Sequence, residues 1–327
     1  IQSHVHRAAA DIKIQDILDH SLHSLSYGMR QKVAIASAEA IDPEIYVMDE
    51  PSANLDIAST YRFADIIRDL KQQGKTIIIA EHRLYYLMDL ADRFLCVQKG
   101  KIVREFTAQQ MKALSNEEIR VLGLRTPDLH QIEQAEIPSA ATSEVVLEVK
   151  KLNHSFGETI VAKDVDFQCR KGEVVALIGP NGTGKSTVGR ILAGLLKEKS
   201  GEVVLFGKHC RPKGRLGKVW YIPQDLDSQL FGEDLLDELT TGAEVSPERK
   251  KAAEEILEAL ELMSFVKQHP STLSGGQKQR LALGVALMHE APIIVLDEPT
   301  SGLDGTNMRN VSRMIRKLAK MGRTIIV

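Results

Sequence analysis

The sequence predicts an α/β fold, a sheet wrapped by helices, and predicts it twice within one chain. Three observations carry this. A short β-branched run, Val174–Ile178, feeds the glycine-rich stretch Gly179-Pro180-Asn181-Gly182-Thr183-Gly184-Lys185-Ser186-Thr187, and a helical pattern follows over Val188–Leu196. Two apolar runs end in paired acids, Ile45–Met48 before Asp49-Glu50 and Ile293–Leu296 before Asp297-Glu298. One offset of 248 residues relates the second pair of acids to the first. Short apolar strands alternating with helical patterns are the mark of such architectures.

The same offset carries Leu25-Ser26-Tyr27-Gly28-Met29 onto Leu273-Ser274-Gly275-Gly276-Gln277 and Leu55-Asp56 onto Leu303-Asp304. It also carries Gly74-x-Thr76-Ile77-Ile78 onto Gly322-x-Thr324-Ile325-Ile326, so it holds for about 55 residues without a gap. Chance matches drift; a fixed offset implies a duplicated domain. The glycine loop precedes Leu273 by 94 residues, whereas only 24 residues precede Leu25, so the first copy is expected to lack its front half. The counterpart of His82 falls three residues past Val327, so the second copy is expected to lack its end.

Between the copies, Ala91–Phe106 reads as short strands around a Gly100-Lys101 turn and Ala108–Leu122 as one polar helix. The stretch from Arg125 to Ser143 lacks sustained apolar periodicity and reads as a linker. Val145–Val149 then opens a strand, with Phe167 and Val174–Ile178 supplying more. The expected divisions are 1–106, 107–144 and 145–327.

A hydrophobic fraction of 43% with 26% charged residues is that of a globular protein and excludes collagen-like, coiled-coil and fully disordered chains. Lys and Arg number 42 against 44 Asp and Glu, which gives no global basic field of the kind that gathers nucleic acid. Cys96, Cys169 and Cys210 are scattered, without the spacing of a zinc site or a disulfide framework. The longest apolar runs are about a quarter of the roughly 20 residues a membrane span requires. There is no basic-then-apolar leader, and the chain opens on Ile rather than Met, as an internal segment of a longer protein would.

The glycine stretch is G-x-x-x-x-G-K-[ST] in a strand–loop–helix setting. Its glycines let successive backbone N–H groups converge on phosphate oxygens, and the helix that follows adds its dipole. Lys185 reaches the β- and γ-phosphates, and Ser186 is suited to hold Mg²⁺. A buried strand delivers Asp297 beside the phosphate loop, where it would bind Mg²⁺ through water, and places Glu298 to polarise the attacking water; Asp49 and Glu50 repeat the design. Ser274 reads as an N-cap whose following glycines leave amides free for an anion, and Leu273 stands 24 residues before Asp297, as Leu25 stands 24 before Asp49.

In order and spacing, the phosphate loop, Gln224 in Tyr221-Ile222-Pro223-Gln224-Asp225, Leu-Ser-Gly-Gly-Gln, Asp297-Glu298-Pro299 and Ser301-Gly302-Leu303-Asp304 resemble the ATP-binding cassette (ABC) ATPases. The resemblance covers nearly the whole chain outside the linker. It implies two P-loop ABC nucleotide-binding domains, each with a RecA-like α/β core, an antiparallel β subdomain and a helical subdomain. It further implies that cassettes pair head to tail, within or between chains, with ATP held by the phosphate loop of one (Gly179, Asn181, Gly182, Thr183, Gly184, Lys185, Ser186, Thr187) and the signature of the other (Ser274, Gly275, Gly276, Gln277; Ser26, Gly28). Phe156 resembles the aromatic that stacks on adenine, Gln224 the glutamine that senses Mg²⁺, and His82 the histidine that holds the γ-phosphate. Asp56 and Asp304 match the aspartates that cross the interface. The implied metal-facing set is Ser186, Gln224, Asp297 and Asp49.

Tyr27 and Met29 depart from the signature pattern, so the site that uses them is expected to bind or hydrolyse ATP less well. With one site lacking its loop and the other its histidine, this chain alone is expected to hydrolyse ATP poorly or not at all. Gln224–Phe231 followed by Leu235–Leu239, and Ala80–Leu87, look like the corresponding segments of energy-coupling-factor (ECF) importers. That resemblance implies a peripheral subunit at the cytoplasmic face of the membrane, gripping a polytopic scaffold that works with a substrate-binding membrane subunit, for uptake of a vitamin or metal ion. The competing reading is a twin-cassette ATPase acting on ribosomes or nucleic acid, since Asp49–Asp56 also partly matches the ribosome-recycling proteins, any iron–sulfur portion lying before residue 1. A purely regulatory cassette would lack Glu50 and Glu298, and both are present.

Overall fold

The computed structural model describes residues 2–12, 14–22, 25, 27–131, 143–242 and 246–327. The chain separates into two compact units, Ile1–Gln134 with Asp304–Thr306, and Ala135–Leu303 with Asn307–Val327.

The first unit runs α1 (Gln2–Asp11), α2 (Tyr27–Glu39), β1 (Ile45–Asp49), α3 (Ile57–Gln72), β2 (Thr76–Ala80), β3 (Phe94–Gln98), β4 (Lys101–Phe106), α4 (Ala108–Lys112) and α5 (Asn116–Val121). Thr60, Phe63, Ala64, Ile67 and Leu70 recur at three- and four-residue spacing, which gives α3 one buried stripe. Asp56 starts that helix by accepting a hydrogen bond from the Ser59 N–H at 2.7 Å. Gly74 follows its end at φ +84°, a left-handed position that turns the chain into β2. β1 and β2 then pair in parallel from Ile45↔Thr76 to Asp49↔Ala80.

Two expectations between the copies are corrected. The β3–β4 turn falls on Lys99 and Gly100, both at positive φ (49° and 73°), with Lys101 already in the strand. A type I′ hairpin turn needs two left-handed residues, and this pair supplies them. The stretch 108–122 is two short helices, because Thr107 and Ser115 each close a capping box, with Gln110 and Glu118 respectively. A serine whose hydroxyl accepts from the amide three residues on starts a new helix rather than continuing the old one. The linker expected over 125–143 lies outside the described residues from 132 to 142.

The second unit contains β5 (Val145–Phe156), β6 (Thr159–Arg170), β7 (Val174–Val175), α6 (Lys185–Leu192), β8 (Ser200–Leu205), β9 (Lys208–His209), α7 (Pro212–Arg215), β10 (Val219–Ile222), α8 (Leu235–Thr240), α9 (Pro247–Ala259), α10 (Gly275–Met288), β11 (Ile293–Leu296), α11 (Gly305–Lys320) and β12 (Thr324–Ile326). β6, β5, β8 and β9 form an antiparallel sheet, and β10, β11, β12 and β7 a second sheet paired in parallel throughout. The register Ile45↔Thr76 of the first unit recurs here as Ile293↔Thr324, at the same 248-residue spacing. β11 is buried along its whole length, whereas β1, with one partner strand, alternates.

α8, α9 and α10 pack on one another around Leu239, Leu257, Leu260 and Leu281. Gly284 of α10 sits where they converge: a Cβ there would lie 2.8 Å from Leu260 Cδ1 and 3.1 Å from Leu239 Cδ2. α6 stops at Leu192 rather than running to Leu196, because Gly194 enters the left-handed region at φ 78°. β7 ends at Val175 rather than Ile178, although Leu177 N–H still donates to the Val327 carbonyl at 2.7 Å.

Candidate functional site

Because the four strands of the second sheet are parallel, their carboxyl ends share one edge, the edge where α/β sheets place their ligands. The glycine loop leaves β7 and the acid pair leaves β11 on that edge, with β12 between them. Two strand spacings set these features roughly 10 Å apart.

The loop is built to approach a ligand closely. Gly182 and Gly184 adopt φ of 82° and 93°, and a Cβ on Gly184 would collide with the Val161 carbonyl oxygen at 2.1 Å. No other residue type fits there. Thr183 Oγ1 donates to the Pro180 carbonyl at 2.9 Å. Lys185, the first residue of α6, turns its ammonium back over the loop and donates to the carbonyls of Gly179 (2.8 Å) and Pro180 (2.9 Å). Gly179, Asn181 and Gly182 are exposed, and Ser186 and Thr187 lie in the first turn of α6. Exposed amides, a helix N-terminus and a lysine gathered at one point form a cradle for a polyphosphate.

Asp297 follows β11 directly, and its carboxylate accepts a hydrogen bond from the Tyr221 hydroxyl at 2.7 Å. Glu298 takes φ 47°, in the left-handed region that costs a non-glycine residue energy and is kept where geometry at a site requires it. Gln224, just past β10, donates from Nε2 to Glu298 Oε2 at 3.2 Å. The residues expected to sense the metal and to polarise water are therefore in direct contact. Phe156 ends β5 with 53% of its surface exposed, and its ring is T-shaped to that of buried His154, with centroids 4.9 Å apart. Ser274 caps α10, with Gln277 Oε1 accepting from the Ser274 N–H at 2.7 Å, and a Cβ on Gly276 would strike Asn307 at 2.5 Å. Asp304 precedes α11.

In the first unit, Asp49 ends β1 and Glu50 follows it, repeating the left-handed backbone at φ 43°. His82, just past β2, brings Nε2 to 3.4 Å from Glu50 Oε1. Burial raises the Glu50 carboxyl above its ordinary range; His82 opposes this, while Glu81 and Asp49 add to it. Asp56 directs its carboxylate to its own helix. Gly28 and Met29 lie in the first turn of α2, and Ser26 lies outside the described residues.

Sequence reasoning missed the groups that hold these side chains. Glu81 Oε1 accepts from the backbone N–H of His82 (2.8 Å) and Arg83 (3.0 Å), and its other oxygen from the Tyr86 hydroxyl (2.9 Å). Arg83 reaches the carbonyls of Leu55 (2.7 Å) and Ala53 (2.9 Å), tying the segment after Glu50 to the one that carries His82. Glu238, 7% exposed, accepts from the amides of Phe231 (2.7 Å) and Gly232 (2.6 Å) and leaves the Phe231 ring exposed. Glu81, Tyr221 and Glu238 lie within the segments Ala80–Leu87, Tyr221–Asp225 and Leu235–Leu239 singled out above, but nothing in the sequence gives them these roles.

Among the described residues no group of three or more His, Cys, Asp or Glu could cage a metal ion. The donor set at the loop, a serine hydroxyl and a strand-end carboxylate, fits Mg²⁺, which keeps waters and phosphate oxygens as its other ligands. Among the described residues no helix is long and apolar enough to cross a membrane.

A phosphate loop, strand-end acids and a capped glycine signature on a parallel sheet define a nucleotide-binding ATPase cassette. The ABC transporter family matches residues 1–53 and 162–301. A Treponema denticola protein named as an ABC transporter ATP-binding protein is 37% identical over 99% of this chain and 67% of its own length. YkoD of Bacillus subtilis, named for HMP/thiamine import, is 29% identical over 97% of this chain and 63% of its own length. Among solved structures, ABCE1 in a ribosome-bound archaeal assembly with Pelota is 27% identical, with a TM-score of 0.71 over 98% of this chain and 54% of that one. The chain belongs to the ABC transporter family of ATP-binding proteins, whose members are ATPases. It spans about two thirds of the length of the two relatives.

Proposed function

We propose that the chain is the ATP-binding and hydrolysing part of an ECF-type importer for a vitamin or metal ion, peripheral at the cytoplasmic face of the membrane and docked on a polytopic scaffold. The observation that carries this reading is the segment after Gln224. Buried Glu238 pins the amides of Phe231 and Gly232, so an exposed aromatic is held on a rigid turn a few residues from the glutamine that touches Glu298. Such a turn links an apolar foothold for a partner to the catalytic edge of the sheet. The name of YkoD as an import protein supports the same reading.

In this reading Phe156 stacks on adenine, the 179–187 loop holds the phosphates, and Ser186 and Asp297 hold Mg²⁺, which neutralises charge on the phosphates. Glu298 accepts a proton from the attacking water, and Gln224 releases Glu298 for that task when the γ-phosphate is present. In the first unit Asp49, Glu50 and His82 take the parallel roles, with Asp56, Asp304 and the signature residues Ser26, Gly28, Ser274, Gly275, Gly276 and Gln277 serving a partner cassette. The divisions 1–106, 107–144 and 145–327 are the corresponding domain boundaries.

The likeness to ABCE1 across 98% of the chain favours a second reading, an ATPase that acts on ribosomes. Flotation of gently lysed cells expressing the tagged protein at low level separates the two. Recovery in the floating membranes with a small polytopic partner supports the importer; recovery with sedimenting ribosomes overturns it.

A further inference from the structure

Tyr221 belongs to β10, which pairs in parallel with β11 so that Tyr221 lies opposite Val295. Asp297 is two residues beyond Val295, and side chains two apart on a strand share a face of the sheet. Its backbone is held as well, since Asp297 N–H donates to the Ile222 carbonyl at 2.9 Å. The phenol therefore runs along the sheet to donate to Asp297 Oδ2 at 2.7 Å. Among the described residues nothing donates to the other carboxylate oxygen, Oδ1.

The ring has little room to move. α6, the helix that opens with Lys185 and Ser186, crosses it at Gly189, where a Cβ would lie 3.1 Å from Tyr221 Cε2 and 3.0 Å from Val295 Cγ1. One packed ring thus touches both the helix that supplies the hydroxyl ligand and the carboxylate at the strand end.

We propose that Tyr221 is a positioning residue for the nucleotide-bound magnesium: its hydroxyl occupies Oδ2 of Asp297 and so presents Oδ1 to the phosphate loop. This rests on the reading of Asp297 as the metal-facing carboxylate. Groups that orient a metal ligand in this way are worth about 10–100-fold in metal affinity. Removing the hydroxyl leaves the packing of the ring intact and frees the carboxylate to rotate.

The test is equilibrium binding of ATP to the full chain, in Mg²⁺ and in EDTA, for the parent, Tyr221→Phe, Asp297→Ala and the double variant. The readout is the ratio of the two affinities, with the nucleotide-free thermal midpoint as a check on folding. The expected result is a ratio lowered about tenfold by Tyr221→Phe, at unchanged affinity in EDTA, and no additional loss from Tyr221→Phe in the Asp297→Ala background. Equal loss in Mg²⁺ and EDTA, or an unchanged ratio in Tyr221→Phe while Asp297→Ala abolishes it, overturns the proposal. If Asp297→Ala itself leaves the ratio intact, the reading of Asp297 fails and the proposal falls with it.

Discussion

His82 and Glu50 meet across the ends of neighbouring parallel strands, with Nε2 of the histidine 3.4 Å from Oε1 of the glutamate. The contact is made on a carboxyl that burial has already raised above its usual value of 4.5. A raised carboxyl binds protons more tightly in the folded chain than in the unfolded one, so its contribution to stability is present at low pH and is lost as pH rises through the folded value. Thermal midpoints should therefore fall from about pH 4.5 upward in the parent relative to Glu50→Gln. Parallel curves for the two proteins would contradict this.

Lys185 donates two hydrogen bonds within its loop and stands ready to exchange them for phosphate oxygens. Hydrogen bonds to a charged group contribute about 1.5–3 kcal/mol. Lys185→Ala should weaken ATP binding about 10- to 100-fold, measured by titration calorimetry, with no fall in thermal midpoint without nucleotide.

Glu298 is contacted by Gln224 and strained at φ 47°, an arrangement suited to a group that handles a proton rather than one that grips ligand. Glu298→Gln should slow ATP hydrolysis by the protein in the assembly proposed above about 100-fold or more. Its ATP affinity should stay within about twofold of the parent.

Much of this was legible in the sequence because it is local. The strand–glycine–helix order, the acids at strand ends and the recurrence at 248 residues are each written in a few consecutive residues, and β1, β2, β11 and β12 lie where those patterns put them. What was not legible depends on contacts distant in sequence. Tyr221 meets Asp297 across 76 positions, and Arg83 reaches Ala53 across 30. The split of 108–122 into two helices was legible in principle, since Thr107-x-x-Gln110 and Ser115-x-x-Glu118 are capping boxes; the run of polar residues hid them.

If the turn after Gln224 is the foothold for a membrane partner, Phe231→Ser should remove the protein from the floating fraction while ATP binding is retained. Glu238→Gln should do so in part, because a neutral acceptor holds the amides of Phe231 and Gly232 less firmly than a carboxylate.

A separate prediction concerns stability alone. Arg215 is fully buried and its charge is paired with Glu198, itself 11% exposed. Glu198→Ala leaves that guanidinium without its partner and should cost about 3–5 kcal/mol in denaturant unfolding, since an uncompensated buried charge is the expensive outcome.

The two consecutive capping boxes bear on how the chain reaches this structure. Thr107 with Gln110 and Ser115 with Glu118 find their capping partners three positions away. Contacts so close in sequence need no prior loop closure and form on the roughly microsecond scale of helix–coil relaxation, well before sheets that must recruit distant strands. During synthesis this short stretch would be shaped before the second unit has left the ribosome, a punctuation mark that folds ahead of the sentence it divides.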